Sequence, residues 1–450
     1  MFLHNQIMRR KAEQELQRWK TDPDRKPLLL KGVRQSGKTY LLKELFARSF
    51  PVTHYFDLRM NSAARAAFTE ENLDPNHILQ ELEFVANKTI DTTRDLIILD
   101  EIQACPPALA SLKYFCELMP GTFVAAAGSL LGVHLSHESF PVGKIDTLNV
   151  DPLDFKEFLL ALEQNRAAEM LSEATPEKPY SEAVHSRIWQ LYGNYLATGG
   201  MPEAIKVYCS TLHQGKLAAY NAVRTVHENL VEGWVADIAK HSGRENALHI
   251  ERVWTSLPSQ LGRNLDGNSK RFRFKGVIPG KKSYRDFEGP VSWLRKAGMV
   301  NLVPVVNRGE TPVSVWTKQS IFKLYAHDTA ILRYMAGIPL KDSRVFNPGF
   351  YKGWVAENAV AQELTANGLR KLHCWTERNS EIEFLLDGNL GAVPVEVKSG
   401  RNTRSKSLSV FRKKYSPKLS IKLGGWNFSA AGSVLSIPLY AASKIPKLIR

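Results

Sequence analysis

The stretch Gly32-Val33-Arg34-Gln35-Ser36-Gly37-Lys38-Thr39 decides the fold of the amino-terminal part of the chain. It follows the apolar run Pro27-Leu28-Leu29-Leu30 and precedes Tyr40-Leu41-Leu42-Lys43-Glu44-Leu45, which is typical of a helix. A buried strand, a turn bracketed by glycines and a helix start are the context in which G-x-x-x-x-G-K-[ST] forms a phosphate-binding loop. The glycines let consecutive backbone N–H groups point inward at phosphate oxygens. The stretch therefore predicts a P-loop rather than a glycine turn that matches by chance.

A P-loop assigns roles to its residues. Lys38 is expected to reach the β- and γ-phosphates of ATP, and the Thr39 hydroxyl to hold Mg²⁺. The predicted nucleotide ligands are the loop, the start of its helix and one distant acid: Gly32, Arg34, Gln35, Ser36, Gly37, Lys38, Thr39, Tyr40 and Asp100.

Two further apolar runs end in polar residues. Asp95-Leu96-Ile97-Ile98-Leu99-Asp100-Glu101 and Thr122-Phe123-Val124-Ala125-Ala126-Ala127-Gly128-Ser129 are both typical of buried parallel strands. Strands that alternate with helices predict an α/β layer with its ligand at the carboxyl ends of the strands. Asp100 is then placed to order the Mg²⁺ shell, and Glu101 to polarise an attacking water. Ser129 is predicted to sense the γ-phosphate, although a structural turn serine is nearly as good an explanation.

Composition restricts the partners. The chain of 450 residues has 60 Lys and Arg against 45 Asp and Glu, a net charge of +15, which suits a polyanion such as nucleic acid or an acidic protein surface. Its 4 cysteines are scattered without metal-ligand spacing, which favours reduced thiols. The absence of a long apolar segment or signal-peptide core predicts a cytoplasmic protein with no membrane partner.

Several motifs of the sequence resemble those of a known protein family. G-V-R-Q-S-G-K-T, L-I-I-L-D-E-I-Q, A-A-G-S-L-L, P-L-D-F-K-E-F and Y-L-A-T-G-G-M-P-E-A are similar to motifs of bacterial and archaeal AAA-class ATP-binding proteins that carry a C-terminal domain of unknown function. K-L-Y-A-H-D near Asp328, E-N-A-V-A-Q-E-L from Glu357 and V-P-V-E-V-K-S-G from Val393 resemble landmarks of that family's second half. The resemblance implies a P-loop ATPase core followed by a winged-helix-like segment and a nuclease-like fold. It also implies that copies of the chain could assemble, because AAA proteins commonly place the site between protomers.

The predicted fold class is α/β, with an AAA-type P-loop parallel sheet and a smaller restriction-endonuclease-like domain. The expected divisions are an ATPase core at 1–150, a helical lid at 151–211, a winged-helix-like region at 212–335 and a PD-(D/E)xK nuclease-like domain at 336–450. Gly199-Gly200-Met201-Pro202 interrupts the lid as a hinge or, more simply, as an interhelical turn.

A basic stretch lies in the third of these regions. Aromatic residues Phe272, Phe274 and Tyr284 are interleaved with its cations: Arg263, Lys270, Arg271, Arg273, Lys275, Lys281, Lys282 and Arg285. This pattern predicts a nucleic-acid surface, or else a solvated basic face whose aromatics turn into the core. A second basic run contains Arg401, Arg404, Lys406, Arg412, Lys413, Lys414, Lys418 and Lys422.

The last region contains a second candidate site. Glu381-Ile382-Glu383-Phe384-Leu385-Leu386 and Ala392-Val393-Pro394-Val395-Glu396-Val397-Lys398 predict a hairpin around Asp387-Gly388-Asn389. Glu396 and Lys398 share a strand face, and Glu383 could lie across from them. This is the pattern of PD-(D/E)xK nucleases, in which two carboxylates hold Mg²⁺ and the lysine polarises water. Glu357, on a preceding helix, matches the helical acid of some members, whereas Glu383 stands where the pattern usually has Asp.

These observations together predict a Mg²⁺-dependent AAA-type ATPase that uses Lys38, Glu101 and Ser129 in hydrolysis and couples it to a DNA-binding, nuclease-like C-terminal half. One alternative is a nucleotide-gated switch in which the C-terminal domain is a catalytically inert docking platform. Another is a metal-dependent nuclease regulated by ATP.

Overall fold

The chain divides into two compact units in the computed structural model, which describes residues 8–129, 141–263, 271–339, 353–400 and 405–450. The amino-terminal unit is Arg9–Asp151 with Lys296–Gly298, and the carboxy-terminal unit is built mainly from Pro152–Arg295 and Met299–Arg450. Across the described ranges, no helix combines the length and apolar composition needed to cross a membrane.

A parallel sheet of 5 strands forms the centre of the amino-terminal unit, in the order β2-β3-β4-β1-β5. Its strands are β1 Leu28–Lys31, β2 Thr53–Asp57, β3 Leu96–Asp100, β4 Phe123–Ala127 and β5 Asp146–Asn149. Its helices are α1 Ala12–Thr21, α2 Lys38–Tyr40, α3 Ser62–Ala66, α4 Pro75–Ala86 and α5 Pro106–Leu118. Helix α2 continues through a π-helical turn, Leu41–Leu45, into a 3₁₀ turn, Phe46–Ser49.

Both faces of this parallel sheet are covered, which explains why β4 is apolar throughout and β3 is apolar up to its last residue, Asp100. Ile97 and Leu99 belong to one buried cluster, with α4 and α5, whereas Leu96 and Ile98 belong to the cluster on the opposite face, with α1 and α2. Successive side chains of a strand point to opposite faces, so an apolar residue is needed at every position. The predicted α/β class with a parallel P-loop sheet is confirmed.

The carboxy-terminal unit combines a helical part with a mixed sheet of 8 strands, in the order β12-β13-β11-β10-β9-β8-β6-β7. Its strands are β6 Val300–Val306, β7 Thr317–Ala326, β8 His373–Glu377, β9 Ser380–Gly388, β10 Gly391–Val397, β11 Ser420–Gly424, β12 Ser429–Ala431 and β13 Val434–Pro438. Its helices are α6 Phe155–Ala161, α7 Asn165–Glu173, α8 Glu182–Thr198, α9 Pro202–Thr211, α10 Lys216–His241, α11 Arg244–Thr255, α12 Leu257–Arg263, α13 Tyr284–Lys296, α14 Thr329–Met335, α15 Gly353–Ala366, α16 Lys406–Tyr415 and α17 Ile445–Leu448.

The hairpin of β6 and β7, expected within the winged-helix-like region, is part of this mixed sheet, because β6 pairs with β8. The expected division at residue 335 therefore falls between strands of one sheet. Helix α15 packs against β6, β7 and β10. Helix α16 packs against β9 and β10 on the other face of the sheet from α15. Its Leu408 and Phe411 form an apolar cluster there with Ile382 of β9.

The double glycine at the start of α9 is held in a close contact. A Cβ at Gly199 would lie 2.5 Å from Asp328 Oδ1, and one at Gly200 would lie 2.2 Å from the Leu153 carbonyl oxygen. The Gly200 N–H donates to Asp328 Oδ2 at 2.6 Å, and Asp328, fully buried, also caps α14. These contacts require glycine for space and support the interpretation as a fixed turn.

Candidate nucleotide-binding site

The P-loop makes a tight turn between the carboxyl end of β1 and the start of α2. Gln35 has φ 65° and Gly37 has φ 91°, and α2 begins at the next residue, Lys38. Gly32 passes so close to the Val150 carbonyl oxygen that a Cβ there would lie 2.3 Å from it. Residues in the left-handed region turn consecutive N–H groups toward one side, which forms an anion-binding concavity. The loop residues Arg34, Gln35, Ser36 and Gly37 form this turn, between β1 and α2.

Lys38 is the cation of this loop. Its ammonium donates to the carbonyl oxygens of Gly32, at 3.1 Å, and Val33, at 3.0 Å, and the residue is only 7% exposed. Burial lowers the pKa of Lys38 to about 8, against the opposing influence of Glu101 and Asp100. Carbonyl oxygens compensate a buried ammonium poorly compared with an anion. An anionic ligand in the loop would therefore stabilise the charged form of Lys38.

The side chains of Thr39, on α2, and Asp100, at the carboxyl end of β3, are in contact. The Thr39 hydroxyl donates to Asp100 Oδ2 at 2.7 Å, and the Tyr55 hydroxyl donates to the same oxygen at 3.0 Å. Asp100 Oδ1 accepts the Glu101 N–H at 2.9 Å. Burial, followed by the charge of Asp100, raises the pKa of Tyr55, so this phenol stays a donor. A hydroxyl and a carboxylate are the hard oxygen donors that Mg²⁺ prefers, so these residues fit the ion that the motif implies.

The surroundings of Ser36 also indicate whether the loop fits a phosphate group. Its side chain is fully buried in the loop, and its Oγ makes no hydrogen bond within the part of the chain that the structure describes. A buried hydroxyl without a partner costs about 1–3 kcal/mol. A phosphate oxygen in the loop would supply a partner.

Glu101 and Ser129 are brought together by a residue that the sequence analysis did not single out. Gln103 Nε2 donates to Glu101 Oε2 at 2.6 Å and lies 3.4 Å from Ser129 Oγ. Strand β4 lies between β1 and β3, so Ser129, just beyond β4, falls between the P-loop and the two acids. Glu101 itself has φ 51°, a backbone conformation that is costly for a non-glycine residue and is often found at functional sites.

Arg10 is a second residue missing from the sequence-based prediction. It is 5% exposed, and its guanidinium donates to the Ser36 carbonyl oxygen at 3.0 Å and to the Asp151 carbonyl oxygen at 2.7 Å. Arg10 thereby ties the P-loop to the segment that follows β5. Arg10 lies 26 residues before Ser36, so no local motif could have indicated the contact. Tyr40, predicted as a nucleotide ligand, lies in the first turn of the helix after the loop, half-buried.

The acids predicted in the C-terminal region are also on one sheet face. The pairing Val395↔Phe384 between antiparallel β9 and β10 sets Glu396 opposite Glu383, and Lys398 lies 2.9 Å from Glu396 Oε1. Glu357, on α15, influences the pKa of Glu383. Nevertheless, across the described residues no group of three or more His, Cys, Asp or Glu side chains is arranged so that it could hold a metal ion.

The basic stretch near residue 280 exposes most of its charged side chains to solvent, whereas its aromatic side chains pack against other aromatic rings. Arg271, Lys275, Lys281, Lys282 and Arg285 are exposed. Phe272 stacks on Phe322 at 5.7 Å between ring centroids, and Phe274 contacts Phe287 at 5.0 Å. Phe272 thus belongs to the core, whereas Phe274 and Tyr284 are half-buried. Lys270, Arg401 and Arg404 lie outside the described residues.

The parallel sheet, the P-loop and the paired acids define the class as a P-loop nucleotide-binding protein. Residues 24–159 match a family model described as an AAA domain, which agrees with this class for the amino-terminal unit. Residues 190–342 and 352–440 match two further models, each described as a domain of unknown function (DUF8612 and DUF4143).

Solved structures give distant likenesses. The Aeropyrum pernix ORC1 protein in complex with DNA is 15% identical over 74% of this chain and 94% of that chain, with a TM-score of 0.32. PCH-2 of C. elegans is 12% identical over 48% of this chain and 67% of that chain, with a TM-score of 0.30. TM-scores this low do not define a shared overall fold, so the class depends on the family match and the geometry. No curated protein matches the chain.

Proposed function

We propose that the chain is a Mg²⁺-dependent ATPase whose nucleotide cycle acts on its DNA-binding carboxy-terminal half. The observation that carries the ATPase is the 2.7 Å hydrogen bond from Thr39 to Asp100, because it joins the loop that would hold the phosphates to the acid that would order the metal shell. Bound Mg²⁺ would neutralise charge on the transferred phosphoryl group. Lys38 would exchange its carbonyl partners for phosphate oxygens.

Glu101 is proposed as the base that orients the attacking water. It lies at the carboxyl end of β3, next to Asp100, and its carboxylate is held by Gln103. Ser129 would contact the same region from the end of β4. The test is a pair of measurements on Glu101→Gln, ATP binding and ATP turnover; retained binding with lost turnover is expected.

DNA is proposed as the partner on the strength of exposed charge. Phosphate contacts need cations on a surface, whereas stacking on unpaired bases needs exposed rings; here Phe272 is buried, and Phe274 and Tyr284 are half-buried. The interaction would therefore depend on the phosphate backbone and weaken steeply as salt rises. Lys281→Glu/Lys282→Glu should lower DNA affinity, whereas Lys206→Glu/Lys216→Glu, the same two charge reversals at exposed lysines of α9 and α10, should leave it unchanged.

A second candidate function is a nucleotide-gated switch whose carboxy-terminal domain is a catalytically inert platform. It is favoured by the ion pairs that occupy the acids of the mixed sheet, Lys323 with Glu357 and Lys398 with Glu396. ATPase activity measured with and without single-stranded, duplex and branched DNA separates the two. Stimulation by DNA supports the first; DNA that neither binds nor stimulates supports the switch.

The nuclease alternative needs its own experiment. Purified protein is incubated with plasmid DNA and Mg²⁺ or Mn²⁺, beside Glu396→Ala as the control. Cutting by the wild type alone would establish a nuclease, and equal cutting by both proteins would assign the activity to a contaminant.

A further inference from the structure

The face of the mixed sheet that α15 covers carries a cluster of acids and lysines, here called the acid–lysine cluster. Its members come from β7, α15, β9 and the end of β10: Lys323, Glu357, Glu381, Glu383, Glu396 and Lys398. Glu381 and Glu383 alternate with Ile382, which belongs to the apolar cluster under α16, so the two acids point to the other face. The topology thus gathers charges that are far apart in the sequence.

Lys323 lies among these carboxylates with its side chain 1% exposed. Its ammonium is 3.1 Å from Glu357 Oε2 and also forms a close ion pair with Glu381 Oε1. The Tyr325 hydroxyl donates to the same Glu357 oxygen at 2.8 Å. Burial lowers the pKa of Lys323, but Glu357 and Glu381 outweigh burial and raise that pKa well above its ordinary value. The two carboxylates therefore compensate the charge of Lys323.

The two remaining acids of the cluster, Glu383 and Glu396, are buried, and each has a partner. Glu383 Oε2 accepts the Val397 N–H at 2.9 Å. Burial, followed by Glu357 and Glu381, raises the pKa of Glu383. Glu396, 1% exposed, is paired with Lys398. A divalent ion held by carboxylates would require these groups ionised and turned to one point.

We propose that the Lys323 ammonium takes the place of a metal ion in the acid–lysine cluster, so that the carboxy-terminal domain binds neither Mg²⁺ nor Mn²⁺ there. Two carboxylates converge on Lys323, and the described residues offer no alternative group of metal ligands. The buried pair is strong only while both partners are present, because an unpaired buried charge is costly. The proposal is independent of nucleotide hydrolysis in the amino-terminal unit.

Removing the lysine should convert the cluster into a metal site. Lys323→Met keeps a long apolar side chain but leaves Glu357 and Glu381 without their cation, beside Glu383. We expect this variant of the full chain, without nucleotide, to bind Mn²⁺ at least ten times more tightly than the wild type, measured by calorimetry and by the Mn²⁺-dependent rise in unfolding temperature. Lys414→Met is the matched control, because Lys414 pairs with Glu377 in the same unit but outside the cluster, and both side chains are partly exposed.

The double variant Lys323→Met/Glu357→Gln identifies the site, since it should lose the Mn²⁺ binding gained by Lys323→Met. A folded Lys323→Met protein that binds Mn²⁺ no better than the wild type would overturn the proposal. The wild type provides a test that needs no folded variant at Lys323: titration of MnCl₂ should give no saturable site in the cluster. Saturable binding that Glu357→Gln removes would overturn the proposal, and its absence supports it.

Discussion

Replacement of Arg10 by methionine tests whether the P-loop is held from outside its own motif. The guanidinium makes one hydrogen bond to a buried carbonyl, that of Ser36, and one to the partly buried carbonyl of Asp151. A hydrogen bond to a charged group contributes about 1.5–3 kcal/mol when buried. With the second bond counted at about half, Arg10→Met should lower the free energy of unfolding by roughly 2–4 kcal/mol.

The effect should appear both in stability and in nucleotide affinity. A loss of this size lowers the unfolding temperature of a unit of this length by roughly 5–15 °C. Because the loop is then less often in its binding conformation, the apparent Kd for ATP should rise roughly tenfold. The assay is thermal unfolding with and without Mg²⁺-ATP, together with hydrogen exchange of the loop amides. Arg10→Lys, which keeps the charge but not the two-armed geometry, should lie between the wild type and Arg10→Met.

Arg18→Met is the control, because Arg18 lies on α1 but is 73% exposed and pairs only at the surface with Glu15. Surface changes of this kind alter stability by about 0.5 kcal/mol or less. If Arg10→Met and Arg18→Met give the same unfolding temperature and the same response to Mg²⁺-ATP, the role assigned to Arg10 is wrong.

Three changes test the nucleotide chemistry. Lys38→Ala should abolish the stabilisation by Mg²⁺-ATP, because it removes the cation aimed at the phosphates; a full thermal shift would contradict this. Glu101→Gln should keep binding and reduce turnover by at least about 100-fold, as expected for loss of a base; normal turnover would assign the water to another residue. Gln103→Leu should leave ATP affinity unchanged and lower kcat by roughly tenfold or more, because Glu101 loses its orienting amide; wild-type kcat would show that this hydrogen bond is not needed.

The parts of the site that lie within one stretch of sequence were predictable, and the parts assembled from distant stretches were not. The P-loop and the Asp100-Glu101 pair are marked by residue type and by position after an apolar run. Tyr55, in contrast, contacts Asp100 from the neighbouring strand β2, and no local pattern distinguishes it from a core tyrosine. Gln103, two residues after Glu101, was the one residue whose spacing could have drawn attention.

The motifs of the second half illustrate the same limit. Their polar residues could be quoted as a resemblance, but their purpose depends on contacts across the carboxy-terminal unit. Gln362 Oε1 accepts from the Thr329 N–H at 2.8 Å, and Glu363 Oε1 accepts from the Phe155 N–H at 2.8 Å. Both side chains are buried, where unpaired polar groups are costly. The motifs therefore specify a buried hydrogen-bond network, which a reading of one segment at a time does not reveal.

Two buried lysines, Lys38 and Lys323, have pKa values shifted in opposite directions, because different groups surround their ammonium groups. Burial lowers the pKa of Lys38, whose ammonium donates only to carbonyl oxygens of its loop among the hydrogen bonds of the described residues. Burial also acts on Lys323, yet there two carboxylates outweigh it. A buried cation that faces dipoles gains when an anion arrives, whereas one that already faces carboxylates would lose its compensation if another cation replaced it. The balance of burial against local charge therefore distinguishes a lysine that an anionic ligand would stabilise from a lysine whose charge its carboxylate partners already compensate.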